Sequence, residues 1–138
     1  MKKILVFLLL LFSYSSVSAF SDVWNNWYKD SILELKNLWV INGYDNDTFL
    51  PYNTTTRAEI LKIIMNSANI EVIEPGEKCF SDVGNNFWYA KYVCSGVEKE
   101  ITNGYNDGTF KPNGTITVIE TLAFAARAFK LDVESLWE

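Results

Sequence analysis

The sequence predicts an all-α fold of two tandem helix-loop-helix repeats packed together, with short extended segments in the loops. Three observations carry that prediction. The chain matches itself at a nearly constant offset, apolar residues recur three or four apart in four places, and a Thr-x-x-Glu signature opens the second helical stretch of each half. A length of 138 residues allows one compact domain or two small repeats sharing a core. Aromatics at 15% beside 21% charged residues give enough apolar surface for the chain to fold.

The first element is an address label. Lys2 and Lys3 precede an apolar run from Ile4 to Phe12, and small residues follow, with Val17 and Ala19 at cleavage spacing. Residues 1–19 therefore read as a secretory signal peptide cut before Phe20. The run is too short to cross a hydrocarbon core of about 30 Å at about 1.5 Å per residue, so no membrane span is expected after cleavage. Processing leaves 119 of the 138 residues and, with both leader lysines gone, moves the formal charge from −5 to −7. Nucleic acid and anionic headgroups are repelled by such a surface and are not expected as partners.

The first repeat spans residues 20–72 and the second residues 79–133. Phe20-Ser21-Asp22-Val23 recurs as Phe80-Ser81-Asp82-Val83, and Asn25-Asn26-Trp27-Tyr28 recurs as Asn85-Asn86-Phe87-Trp88-Tyr89 with one residue inserted. Beyond the insertion the offset is 61: Asn42-Gly43-Tyr44 matches Asn103-Gly104-Tyr105, and Thr48-Phe49 with Pro51 matches Thr109-Phe110 with Pro112. Tyr28, Ile32, Leu35 and Leu38 form the apolar stripe of a first helix, and Tyr89, Val93, Val97 and Ile101 that of its counterpart. Asn-Gly-Tyr breaks each helix, because Asn and Gly accept a left-handed backbone at little cost. Asp45-Asn46-Asp47 and Asn106-Asp107-Gly108 are turn chemistry, and 48–50 and 109–111 are the expected extended segments. Thr56 with Glu59 and Thr117 with Glu120 then have capping-box spacing. The second helices carry Ile60, Ile63, Ile64 and Ala68, and Leu122, Ala125, Ala126 and Phe129, as core-facing stripes, so that four helices are expected to bury one shared core.

Cys79 and Cys94 are an even pair in a chain that leaves the reducing cytosol, which favours a disulfide over two buried thiols. The chain has no histidine, which removes the Ser-His-Asp and Cys-His nucleophile systems and the usual His-containing zinc sites. Glu59 and Glu120 read as caps and not as a catalytic carboxylate pair. The Asp- and Asn-rich turns lack the later bidentate Glu of a calcium loop. No enzyme activity, metal or cofactor is expected.

Together, Phe-Ser-Asp-Val, the Trp-Tyr helix start, Gly43 to Pro51, Gly104 to Pro112 and Thr56-Arg57-Ala58-Glu59 resemble the S-layer homology repeat, over nearly all of the mature chain. The resemblance implies an exported cell-envelope protein held non-covalently at the bacterial surface by a secondary cell-wall polysaccharide of acidic character. It implies that the Arg of Thr-Arg-Ala-Glu, here Arg57, contacts the anion. A guanidinium in the first turn of a helix offers a planar donor fork beside the positive end of the dipole. The bland reading of Arg57 is a solvated first-turn arginine. Trp27 and Trp88 read as core or half-buried packing residues, or as platforms for a sugar face. Lys111 reads as a solvated loop lysine, or as a substitute cation in the second copy.

Three departures from the family pattern bear on these expectations. Val118 stands where the second Arg would be, only two repeats are present where the family often has three, and Trp39 and Glu100 replace the glycines that usually end the first helices. The first helices are thus expected to run longer or to end differently. An alternative function follows: a structural subunit that pairs its repeats with itself or with another S-layer homology protein.

Overall fold

A computed structural model describes residues 19–24 and 26–132. Apart from Ala19, the expected signal peptide lies outside the described residues. Four helices follow in order: α1 (Lys29–Asn37), α2 (Arg57–Ser67), α3 (Ala90–Glu98) and α4 (Val118–Ala128). The fold is all-α, and among the described residues the extended segments form no strand. An isolated antiparallel bridge joins Thr56 to Thr115.

Instead of pairing in a sheet, each extended segment is clamped by the aspartate of its own Phe-Ser-Asp-Val motif. The N–H groups of Phe49 and Leu50 donate to the Asp22 carboxylate at 2.8 and 2.7 Å, and those of Phe110 and Lys111 donate to Asp82 at 2.9 and 2.8 Å. The phenylalanine of the motif packs beneath the glycine of Gly-Tyr. A Cβ on Gly43 would stand 2.1 Å from Phe20, and one on Gly104 would stand 2.2 Å from Phe80, while both glycines hold φ near +70°. Only glycine meets both demands.

All four helices end in the same way. The residue after each C-cap adopts a left-handed conformation: Trp39, Asn69, Glu100 and Lys130, at φ of +52° to +59°. The next N–H then reaches back to the carbonyl five residues earlier, Val40 to Leu35, Ile70 to Met65, Ile101 to Gly96 and Leu131 to Ala126, as in a Schellman motif. Trp39 and Glu100 thus hold the left-handed position without glycine, and the first helices end as the second ones do. The apolar residues Val40 and Ile101 seal those ends by burying themselves.

The expectation of one shared core is corrected. α2 lies between α3 and α4, and among the described residues these are the helix pairs that approach one another, while the buried apolar residues fall into two clusters. The larger cluster joins Ala58, Leu61, Ile64 and Met65 of α2 to Val83, Tyr89, Val93, Ile101, Phe110 and Phe124 of the second half. A smaller one, Phe20, Val23, Ile32, Val40 and Ile41, seats α1 on its own loops. The stripes also rotate: Leu38, Leu122 and Phe129 are exposed, whereas Ala58, Leu61, Met65 and Phe124 are buried. Cys79 and Cys94 form a disulfide that ties the start of the second repeat to α3.

Candidate functional site

Both capping boxes close reciprocally. The Glu59 N–H donates to the Thr56 hydroxyl oxygen while the Thr56 N–H donates to the Glu59 carboxylate at 2.7 Å, and Thr117 with Glu120 repeats this. The other carboxylate oxygen takes the hydroxyl of the Gly-Tyr tyrosine: Tyr44 donates to Glu59 at 3.0 Å, and Tyr105 to Glu120 at 2.7 Å. Burial opposes ionisation of Glu59, but the Thr56 and Tyr44 donors and Lys62 outweigh it and lower its pKa. Thr117 and Tyr105, with Arg57 beside them, bring Glu120 down to about 2.

Beside the first box lies an open groove of about 550 Å³ between the 40–55 loop and the start of α3. Tyr44, Leu50, Glu59 and Lys62 of the first repeat line it together with Trp88 of the second. Lys62 reaches over the Trp88 ring with its ammonium 5.5 Å from the ring centre. Burial of the lysine, more than the neighbouring Lys91 charge, lowers its pKa against the pull of Glu59. A partly desolvated ammonium beside an indole, with Asn42 and Asn53 amides close by, suits a hydroxyl-rich ligand bearing an anionic group.

Of the candidate ligand contacts and caps named from the sequence, the fold brings Trp88 and Glu59 to this groove, together with Tyr44 and Asn42 of the Asn-Gly-Tyr motif. Arg57 is neither solvated nor in the groove: it is 4% exposed and bridges the repeats. Its Nη1 donates to Glu120 at 2.9 Å, and its guanidinium lies 4.7 to 4.9 Å from the ring centres of Phe124, Tyr105 and Phe110. The buried Nε has no partner. Trp27 is 93% exposed and meets Tyr28 edge-on, so it is no core residue, and Trp88 is half exposed. Lys111 is exposed, paired with Asp107 at 3.2 Å and placed over the Tyr105 ring. Lys62 was the residue that motif reading missed. Its signal was its place three residues after Glu59, on the same helix face.

Comparison with known proteins bears on this geometry. The S-layer homology domain matches residues 19–61 and 80–117. Over 115 residues, 82% of this chain, it is 36% identical to an exoglucanase of Acetivibrio thermocellus, of which that stretch is 10%. It is 31% identical over 122 residues, 88% of this chain, to the surface-layer 125 kDa protein of Lysinibacillus sphaericus, again 10% of that protein. It is 26% identical over 112 residues to the middle cell wall protein of Brevibacillus brevis, covering 78% of this chain and 11% of the relative. The chain thus spans about a tenth of the length of these curated relatives. Two family matches, one over each half of a doubled helical architecture, settle the assignment: the chain belongs to the S-layer homology domain family and is a secreted, cell-surface protein.

Proposed function

We propose that this chain is a non-enzymatic attachment module that holds an acidic cell-wall polysaccharide non-covalently in the groove lined by Lys62 and Trp88. The observation that carries the reading is the pairing of a half-buried lysine on one repeat with an indole on the other, both lining one open groove. The Lys62 ammonium would meet a carboxylate on the polymer, Trp88 would lie against an apolar sugar face, and Tyr44 and the asparagine amides would meet hydroxyls. A protein of formal charge −5 repels such a polymer beyond a Debye length of about 8 Å, so recognition rests on these short contacts. Relatives named for different roles, an exoglucanase and a surface-layer protein, share this segment as a small part of much longer chains. A segment common to both supports attachment more readily than catalysis.

Arg57 serves this reading outside the groove, by holding the two repeats together. The test is retention on purified wall sacculi. Lys62→Ala should weaken binding about tenfold or more, the loss expected for one contact to a charged group, and Trp88→Ala should weaken it as well, both with helicity retained. Equal retention of both variants and wild type would refute the groove assignment. The assembly reading, in which repeats pair with another copy or another S-layer homology protein, has the exposed apolar residues of α4 in its favour.

A further inference from the structure

We propose that Lys91 is a second anion contact for the polysaccharide held at Lys62 and Trp88, and that Glu74 occupies Lys91 until that polymer binds. The inference rests on the attachment reading and extends it along α3. Lys91 and Tyr92 follow Trp88 by three and four residues, and so share one side of the start of α3 with it. The Trp88 and Tyr92 rings meet edge-on with centres 6.4 Å apart. Lys62 comes over both, 5.5 Å from the Trp88 centre and 6.0 Å from that of Tyr92, and Lys91 approaches the Tyr92 ring at 5.8 Å. Two ammonium groups thus meet at one phenol ring, the first in the groove wall and the second outside it.

Such a pair repels itself. Burial of Lys62, and after it the Lys91 charge, lower the Lys62 pKa. A polymer with acid groups on more than one sugar relieves that repulsion by meeting both lysines. A carboxylate of the chain itself already marks the second position: Lys91 donates to Glu74 at 3.2 Å. Glu74 lies on the segment joining the repeats, and the preceding Ile73 N–H donates to the buried Ser95 hydroxyl at 3.1 Å, which holds that segment on α3. The ion pair is open to water, with side chains 36% and 78% exposed, so it is weak and yields to a ligand carboxylate. Nor does the fold require these residues. At the matching repeat positions Lys91, Tyr92 and Lys62 give way to Asp30, Ser31 and Ala123, while the capping boxes and helix ends are repeated.

Retention on purified wall sacculi, titrated at several salt concentrations, tests the assignment by the sign of two substitutions that break the same ion pair. Lys91→Ala should weaken binding about threefold or more and make it less sensitive to salt, and Lys91→Arg should restore it. Glu74→Gln should tighten binding by up to about fivefold, and that gain should vanish in the Lys91→Ala background. A merely structural pair would move both single variants the same way, through stability, and melting temperature reads that separately. Wild-type binding by Lys91→Ala, or weaker binding by Glu74→Gln, beside a weakened Lys62→Ala, would overturn this proposal and leave the groove standing. Undiminished binding by Lys62→Ala would overturn the groove assignment and this extension with it.

Discussion

Replacing Arg57 with Ala should loosen the joint between the repeats before it affects any ligand. Three contributions are lost together. The 2.9 Å bond from Nη1 to Glu120 involves a charged donor and acceptor, worth about 1.5–3 kcal/mol. The guanidinium leaves contacts with three aromatic rings, each worth about 0.5–1 kcal/mol or more when desolvated. Against these, the truncation also removes a buried Nε with no partner, whose burial costs about 1–3 kcal/mol. Because the Glu120 side chain keeps 25% exposure and its Thr117 and Tyr105 donors, the carboxylate is not stranded. The net loss should be about 2–3 kcal/mol, below the roughly 3–5 kcal/mol of a fully buried broken pair. In a domain of this size that lowers the melting temperature by about 10–15 °C. Thermal unfolding by circular dichroism measures it, and Arg57→Met, which keeps the stem, should recover part of the loss. Melting of Arg57→Ala within about 1 °C of wild type would refute the latch. Any change in sacculus binding by this variant must therefore be read beside its stability.

Four further outcomes follow from the same geometry. Glu120 has its pKa depressed to about 2 from an ordinary 4.5, so its contribution to stability is fully present above about pH 5 and is lost as pH falls from there toward 2. Melting temperature should drop over that window, and Glu120→Gln should flatten part of the drop. Gly104→Ala should destabilise by about 2 kcal/mol or more, since its Cβ meets the Phe80 ring and its φ of +69° is strained for alanine; chemical denaturation checks this. Glu100→Gly should leave stability unchanged or raise it by up to about 1 kcal/mol, because glycine takes the left-handed position without the Cβ clash but adds freedom to the unfolded chain. Reduction of Cys79–Cys94, which closes a 15-residue span, should cost about 3 kcal/mol, read as a lower midpoint in denaturant with dithiothreitol.

The parts legible in the sequence are those whose physics is local or repeated. Thr56 and Glu59 announce a capping box because both partners lie within one helical turn. Gly43 and Gly104 mark positive φ because glycine takes it at little cost, and the twofold recurrence of most motifs made the doubled helical architecture readable. Even Asp22 and Asp82 stood out by repetition, although the N–H groups they bind lie 27 to 29 residues downstream.

What tertiary structure alone decided depends on which helix meets which. Periodicity marked α4 as amphipathic, yet whether Leu122 or Phe124 turns inward was set by α2 lying beside it, and a stripe read one residue off exposes its supposed core. Arg57 carried the look of a ligand contact, but its partner is 63 residues away and three rings from the other repeat close over it. Lys62 and Trp88 became neighbours only when α2 settled against α3. Local chemistry determines where a chain turns and caps. Which side chains end up buried, paired or facing a groove is a property of surfaces brought together across the chain.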